Sequence, residues 1–178
     1  MLLITGPVGV GKTSVVSEMS EILERYNVPH AAVDVDLLAW YFPRPASDPF
    51  GNEVTLRNLS AVWRTFQEAG AERLLLARVI ESRDELDSFR HAVPGAEIVV
   101  CRLRATVSTL QSRVRERERG SGRAWHVARA AELAAQFERM PVEDLVVETE
   151  DRTLGDIAME ILSRVGWIGS GTSGSRGL

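Results

Sequence analysis

The sequence predicts an α/β fold in which a five-stranded parallel sheet is covered by helices on both faces. Three observations predict it. Short, near-continuous apolar runs at 1–5, 30–35, 73–80, 96–103 and 145–147 read as strands buried on both sides. Between them lie longer segments whose apolar residues recur three and four apart, the period of an amphipathic helix. Strands that alternate with helices pair in parallel through right-handed crossovers, which places a helical layer on each face. A glycine-rich segment, GPVGVGKT at 6–13, joins the first strand to the first helix.

Each element follows from local chemistry. After the strand at 1–5, Val15, Val16, Met19, Ile22, Leu23 and Tyr26 define the apolar stripe of a helix that Asn27 and Pro29 end. The run HAAVDV at 30–35 is the second strand. Three prolines and a glycine make 41–52 a loop, and a helix over 53–69 follows, with Gly70 as its C-cap. The third strand covers 73–80, and Ser82 with Glu85 forms a capping box that opens a short helix. The fourth strand, 96–103, leads into a helix from Thr106 that the charged run RERERGSGR at 115–123 interrupts. A further helix over 124–139, the short strand around 145–147 and a helix carrying Leu154, Ile157, Ala158, Ile161, Leu162 and Val165 complete one domain over 1–167. The composition of 168–178 predicts a flexible tail. Ligands of such sheets bind beyond the carboxyl ends of the strands, so 6–13, 34–36 and 81–83 should meet in one crevice.

The segment at 6–13 fits the pattern G-x-x-x-x-G-K-[ST] in full, with a strand before it and a helix after it. Gly6, Gly9 and Gly11 allow backbone angles and a close approach that side chains forbid. The resulting ring of N–H groups, backed by a helix N-terminus, supports phosphate charge. Lys12 reaches the β- and γ-phosphates and the Thr13 hydroxyl joins a Mg²⁺ shell. The expected nucleotide-binding set is therefore Gly6, Pro7, Val8, Gly9, Val10, Gly11, Lys12, Thr13 and Ser14. Of the 21 basic residues, Lys12 is the only lysine, and it stands where the motif requires one. With no second lysine, the Asn-Lys-x-Asp guanine motif of GTPases cannot occur. The third strand runs into Glu81 rather than a hydrophobic run ending in Asp, which weakens the reading as a large motor or oligomeric ATPase.

Two acids, Asp34 and Asp36, close the second strand, two apart and so on one face of an ideal strand. Asp36 also stands where an Asp can cap the short helix it precedes. Arg113 and Arg117 are four apart on one helix face, before the flexible Gly120-Ser121-Gly122. With these features the chain resembles the P-loop small-molecule kinases of the adenylate-kinase-like group, which includes shikimate, gluconate and adenylylsulfate kinases and chloramphenicol phosphotransferase. The resemblance spans about 1–165. It implies a three-layer P-loop NTPase fold with a short helical lid at about 113–128, and transfer of the γ-phosphoryl of ATP, with Mg²⁺, to a hydroxyl of a small acceptor. It implies Lys12, Asp36 and Arg117 as catalytic, with Asp36 facing the acceptor hydroxyl and Arg117 the moving phosphate. Arg113 would lie on the base side, and Thr13 and, through water, Asp34 would serve the metal. The chain departs from the gluconate and adenylylsulfate enzymes in lacking Asp-Gly-Asp at 34–36, where Val35 is the middle residue. Around 35–43 it looks closest to the chloramphenicol-modifying enzymes.

The acceptor pocket falls to the loop 41–52 and the helix after it, where Arg57 and Arg64, two turns apart, either meet an anionic acceptor or form an ordinary solvated face, with Asn58 and Trp63 beside them. Glu81 is a candidate for the metal shell, Arg83 for the crevice, and Trp125 and His126 are packing residues beside the lid. The remaining totals exclude more than they propose. A net charge of −4 gives no general pull toward nucleic acid, and the single cysteine, Cys101 in an apolar run, excludes a disulfide within the chain and a thiolate metal cage. No apolar run reaches membrane-spanning length and no secretory signal is evident, which predicts a cytoplasmic protein, monomeric or homodimeric. Two other readings of the same motif are an ATP-binding regulatory module acting on a protein partner and a toxin-like kinase of a sugar nucleotide.

Overall fold

The computed structural model describes residues 1–169, and 170–178 of the expected tail lie outside the described residues. Five strands, β1 (Leu2–Thr5), β2 (His30–Asp34), β3 (Arg73–Ala77), β4 (Val99–Arg104) and β5 (Leu145–Glu148), form one sheet in the order β2-β3-β1-β4-β5. Every neighbouring pair is parallel. The helices are α1 (Lys12–Arg25), α2 (Asn52–Glu68), α3 (Arg83–Ala92), α4 (Val107–Arg117), α5 (Arg123–Arg139) and α6 (Leu154–Arg164), with a 3₁₀ turn at Val35–Ala39. The α/β architecture is the expected one.

Alternation along the strands divides the core in two. Leu2, Ile4, Leu75, Cys101 and Leu103 face α1 and α6, where Met19, Ile22, Leu23, Ile157 and Ile161 complete a cluster. Leu3, Leu74, Leu76 and Val100 face the other way, onto Leu59 and Trp63 of α2, Phe89 of α3 and Phe137 of α5. Burying each such aliphatic side chain contributes roughly 1.5–3 kcal/mol, which fixes the register of a sheet covered on both faces. Ile168 also packs into the first cluster. The Cys101 thiol is fully buried and desolvation pushes its pKa up to about 12, so it is an inert core residue.

The boundaries differ from the sequence expectation where polar groups intervene. β3 ends at Ala77 rather than at 80, because the Ile80 N–H turns away to donate to the buried Thr5 hydroxyl at 3.0 Å. β4 begins at Val99 rather than at 96, with the Val99 N–H donating to Met1 O at 3.0 Å. α2 starts at Asn52, and Asp48 caps it by accepting from the N–H groups of Asn52 and Glu53 at 2.8 and 2.9 Å. The capping box of α3 forms only in part. Ser82 makes no side-chain cap, while the Glu85 carboxylate accepts the Glu81 N–H at 3.0 Å. Tyr26, expected on the apolar stripe of α1, is 47% exposed.

Candidate active site

β1 lies at the centre of the sheet, between β3 and β4, so the loop it feeds into α1 is held by both neighbours. Gly6, Gly9 and Gly11 adopt φ of 138°, 85° and 98°. At two of them the space is closed as well. A Cβ on Gly6 would lie 2.5 Å from Leu103 O, and one on Gly9 2.6 Å from Leu110 O. The loop therefore packs against the end of β4 and against α4 as only glycine permits. Val10 is buried and anchors the loop in the core, while Thr13 and Ser14 are exposed. α1 has no side-chain N-cap and no acid in its first turn, so its leading N–H groups and positive dipole end stay available to an anion.

Lys12 folds back over this loop and donates to Gly6 O at 2.9 Å and Pro7 O at 3.1 Å. Desolvation lowers its pKa to about 8, opposed by the charges of Asp36 and Asp34 and assisted by that of Arg117. Asp36, Asp34 and Arg117 all come from the expected site, so the ends of β2 and α4 converge on the ammonium at the start of α1.

The two acids of β2 separate. The strand stops at Asp34 and the 3₁₀ turn begins at Val35, so the carboxylates do not share a face. Asp34 accepts from the Thr13 hydroxyl at 2.7 Å and from the Asp36 N–H at 3.1 Å. Asp34, not Asp36, is thus the residue that caps the turn. Asp36 pairs with Arg78 Nη1 at 3.0 Å, and Arg78 Nη2 donates to Asn52 Oδ1 at 2.8 Å. Sequence reading missed Arg78, although an arginine at the carboxyl end of an apolar strand was a usable signal.

The loop at 6–13 borders several cavities, and two of them also hold candidate site residues. One, a pocket of about 190 Å³, is lined by Val10, Gly11, Ser14, Arg113, Thr149 and Leu154 among others. Arg113 crosses its wall with Nη2 donating to Thr149 O at 3.4 Å and Nη1 to Thr149 Oγ1 at 3.3 Å. The other, a cleft of about 780 Å³, includes Val8 of the loop, Asp36, Asn52, Arg78 and Arg129. Arg117 is at the last turn of α4, 65% exposed, with Nη2 3.0 Å from Glu118 Oε1. The break between α4 and α5 is short, and Glu118 there is bonded to His126 Nδ1.

Several expected residues lie elsewhere. Trp63 is 7% exposed and belongs to the core. Arg57 and Arg64 are exposed and do not line the cleft, because their face of α2 turns to solvent. Asn58 bonds to Leu38 O at 2.9 Å, and Arg83 is exposed at the start of α3. Glu81 is bound to Arg129 rather than turned toward Asp34 and Thr13. Trp125 is 62% exposed and so is no packing residue, while its neighbour His126 lines the cleft with it.

The metal test is one of donors. Among the described residues no group of three or more His, Cys, Asp or Glu side chains gathers as a metal cage. Thr13 and Asp34 nevertheless present hard oxygens side by side, which fits Mg²⁺ that arrives with phosphates and keeps most of its waters. No described helix is long and apolar enough to cross a membrane.

No protein-family model matches the chain, and no curated protein matches it. Solved structures do match. A gluconokinase from Sinorhizobium meliloti 1021 aligns at TM-score 0.56 with 20% identity over 93% of this chain and 91% of its own. The tunicamycin resistance protein of Deinococcus radiodurans aligns at TM-score 0.63 with 17% identity over 93% and 95%. The APS kinase of Mycobacterium tuberculosis, in complex with AMPPNP and APS, aligns at TM-score 0.61 with 22% identity over 93% and 96%. At these identities the likeness concerns fold alone: the chain shares its fold with these two kinases and the tunicamycin resistance protein.

Proposed function

We propose that the protein transfers the γ-phosphoryl group of ATP to a hydroxyl of a small molecule. The observation that carries this reading is that residues of the 6–13 loop line two separate cavities that also hold candidate site residues, a small one beside Arg113 and a large one containing Asp36. A nucleotide switch needs one such space; a group transfer needs two that meet at the moving phosphate. The nucleoside would occupy the smaller cavity against Arg113, and its phosphates the cradle of Gly6 to Ser14. The acceptor would enter the cleft.

In the transfer the bond from the γ-phosphorus to the bridging oxygen breaks and ADP leaves with the electron pair. The acceptor oxygen forms the new bond and its proton passes to the Asp36 carboxylate. Arg78 holds Oδ1 of that carboxylate, leaving Oδ2 for the acceptor hydroxyl. Lys12 and Arg117 stabilise charge that spreads over the phosphoryl oxygens. Thr13 and Asp34 would hold Mg²⁺, which would supply positive charge against the phosphates.

The test is phosphoryl transfer from ATP–Mg²⁺ to a panel of nucleosides, nucleotides, sugars, sugar acids and hydroxylated antibiotics. Activity that Lys12→Ala abolishes supports the reading. If ATP binds and no panel member accepts phosphate, the reading as a regulatory ATP-binding module replaces it. Asp36→Asn is expected to lower kcat about 10²–10⁴-fold with the KM for ATP unchanged. Equal losses in both would make Asp36 a structural residue.

A further inference from the structure

The acceptor cleft has an unusual combination of walls. It is lined by four carboxylates, Asp36, Glu81, Glu85 and Glu132, against three guanidiniums, Arg44, Arg78 and Arg129, and one imidazole, His126. Each guanidinium is already engaged. Arg44 donates to Ala39 O at 2.7 Å and Pro49 O at 3.3 Å. Arg78 is held by Asp36 and Asn52, and Arg129 by Glu81 and Glu132. A carboxylate or phosphate on the acceptor would have to displace one of these partners and would then face the carboxylates left behind. Anion sites are built the other way, with a guanidinium fork turned to the ligand. The two arginines of α2 that an anionic acceptor would use, Arg57 and Arg64, are not in the cleft.

The same cleft also carries aromatic rings. Trp40, Phe50 and Trp125 all line this cleft, and they are 83%, 71% and 62% exposed. Trp40 follows the 3₁₀ turn, Phe50 precedes α2 and Trp125 is in the first turn of α5, so three separate segments bring apolar rings to one opening. Large side chains left in water at one concave site mark a ligand surface, and their flat faces favour a planar partner.

Resting on the phosphotransferase reading, we infer that the acceptor is an uncharged alcohol bearing an aromatic or other planar apolar ring. The ring sits among Trp40, Phe50 and Trp125, and the hydroxyl reaches Asp36 beyond it. Hydroxy acids, sugar acids and phosphorylated sugars are excluded because the guanidiniums of the cleft are already engaged by its own groups.

The experiment measures ADP release with ATP–Mg²⁺ against two sets of compounds. One holds neutral aryl alcohols and aryl glycosides, the other hydroxy acids, sugar acids and sugar phosphates. Transfer confined to the neutral aromatic set is expected, with Trp40→Ala and Trp125→Ala each raising the acceptor KM about tenfold while the KM for ATP stays constant. Both tryptophans are exposed, so neither substitution removes core packing. Transfer to the anionic set, or to neutral acceptors with no response to either substitution, overturns the inference and leaves the kinase reading standing. ATP binding without transfer to either set overturns the inference, and the wider panel of nucleosides, nucleotides and neutral sugars then decides the kinase reading.

Discussion

On the proposed function, Lys12 should couple nucleotide affinity to pH in a window that its surroundings define. Free of ligand, its ammonium titrates at about 8, held down by desolvation and by Arg117 against the pull of Asp36 and Asp34. Phosphate oxygens at the ammonium favour the charged form, so bound ATP raises this pKa. The sign follows from linkage: a group whose pKa rises on binding contributes its full affinity below the free value and loses it as pH climbs toward the bound value. At pH 7 about 91% of the free protein carries the proton, and at pH 9 about 9% does. The Kd for ATP–Mg²⁺ should therefore weaken about tenfold between pH 7 and pH 9, about 1.4 kcal/mol. Titration calorimetry in two buffers of different ionisation enthalpy should also report uptake of about half a proton at pH 8. Lys12→Arg, whose charge is constant across this range, should remove the pH dependence. A Kd that is flat from pH 7 to pH 9 in the wild type, or an unchanged slope in Lys12→Arg, would refute the argument.

The same lysine opposes folding when no nucleotide is bound. Below pH 8 both folded and unfolded chains carry its proton and the folded one bears the desolvation, so this group's contribution to stability rises as pH climbs from about 8 toward 10.5. Lys12→Met should raise the stability of the nucleotide-free protein at pH 7 by about 1–3 kcal/mol in urea unfolding, and a loss of stability would contradict it. Gly9→Ala should cost at least about 2 kcal/mol and more than Gly11→Ala. Both glycines have positive φ, but only Gly9 has backbone within 3 Å of the added carbon, so equal costs would contradict the packing described. Arg102 is buried with Nε 3.1 Å from Glu143 Oε1, where both side chains are under a tenth exposed. Arg102→Met should cost about 3–5 kcal/mol, and adding Glu143→Gln should restore more than half of it, since the cost arises from the carboxylate left unpaired.

Much of the fold was legible because burial on both faces writes itself into a strand as an uninterrupted apolar run. The runs at 1–5 and 30–35 became β1 and β2 almost to the residue, and the stripe from Val15 to Leu23 became the buried face of α1. The glycine motif was equally legible, since positive φ at Gly6, Gly9 and Gly11 is a local backbone demand. Strand ends were not. Whether β3 stops at Ala77 or at 80 depends on the Thr5 hydroxyl, which is 75 residues away in sequence.

For the candidate site, local chemistry determined the glycine loop proposed to hold phosphate, with Lys12 and Thr13 at fixed offsets from the glycines. Only the tertiary structure decided what surrounds it. Asp34 turns to Thr13 and Asp36 to Arg78 because a 3₁₀ turn replaces the strand between them. Trp63 was taken by the core and Glu81 by Arg129, while Trp40, Phe50 and Trp125 from three distant segments came to line one cleft. A motif is read from residues a few bonds apart. A pocket wall joins side chains by chain crossing, and no spacing in the sequence records which of them will meet.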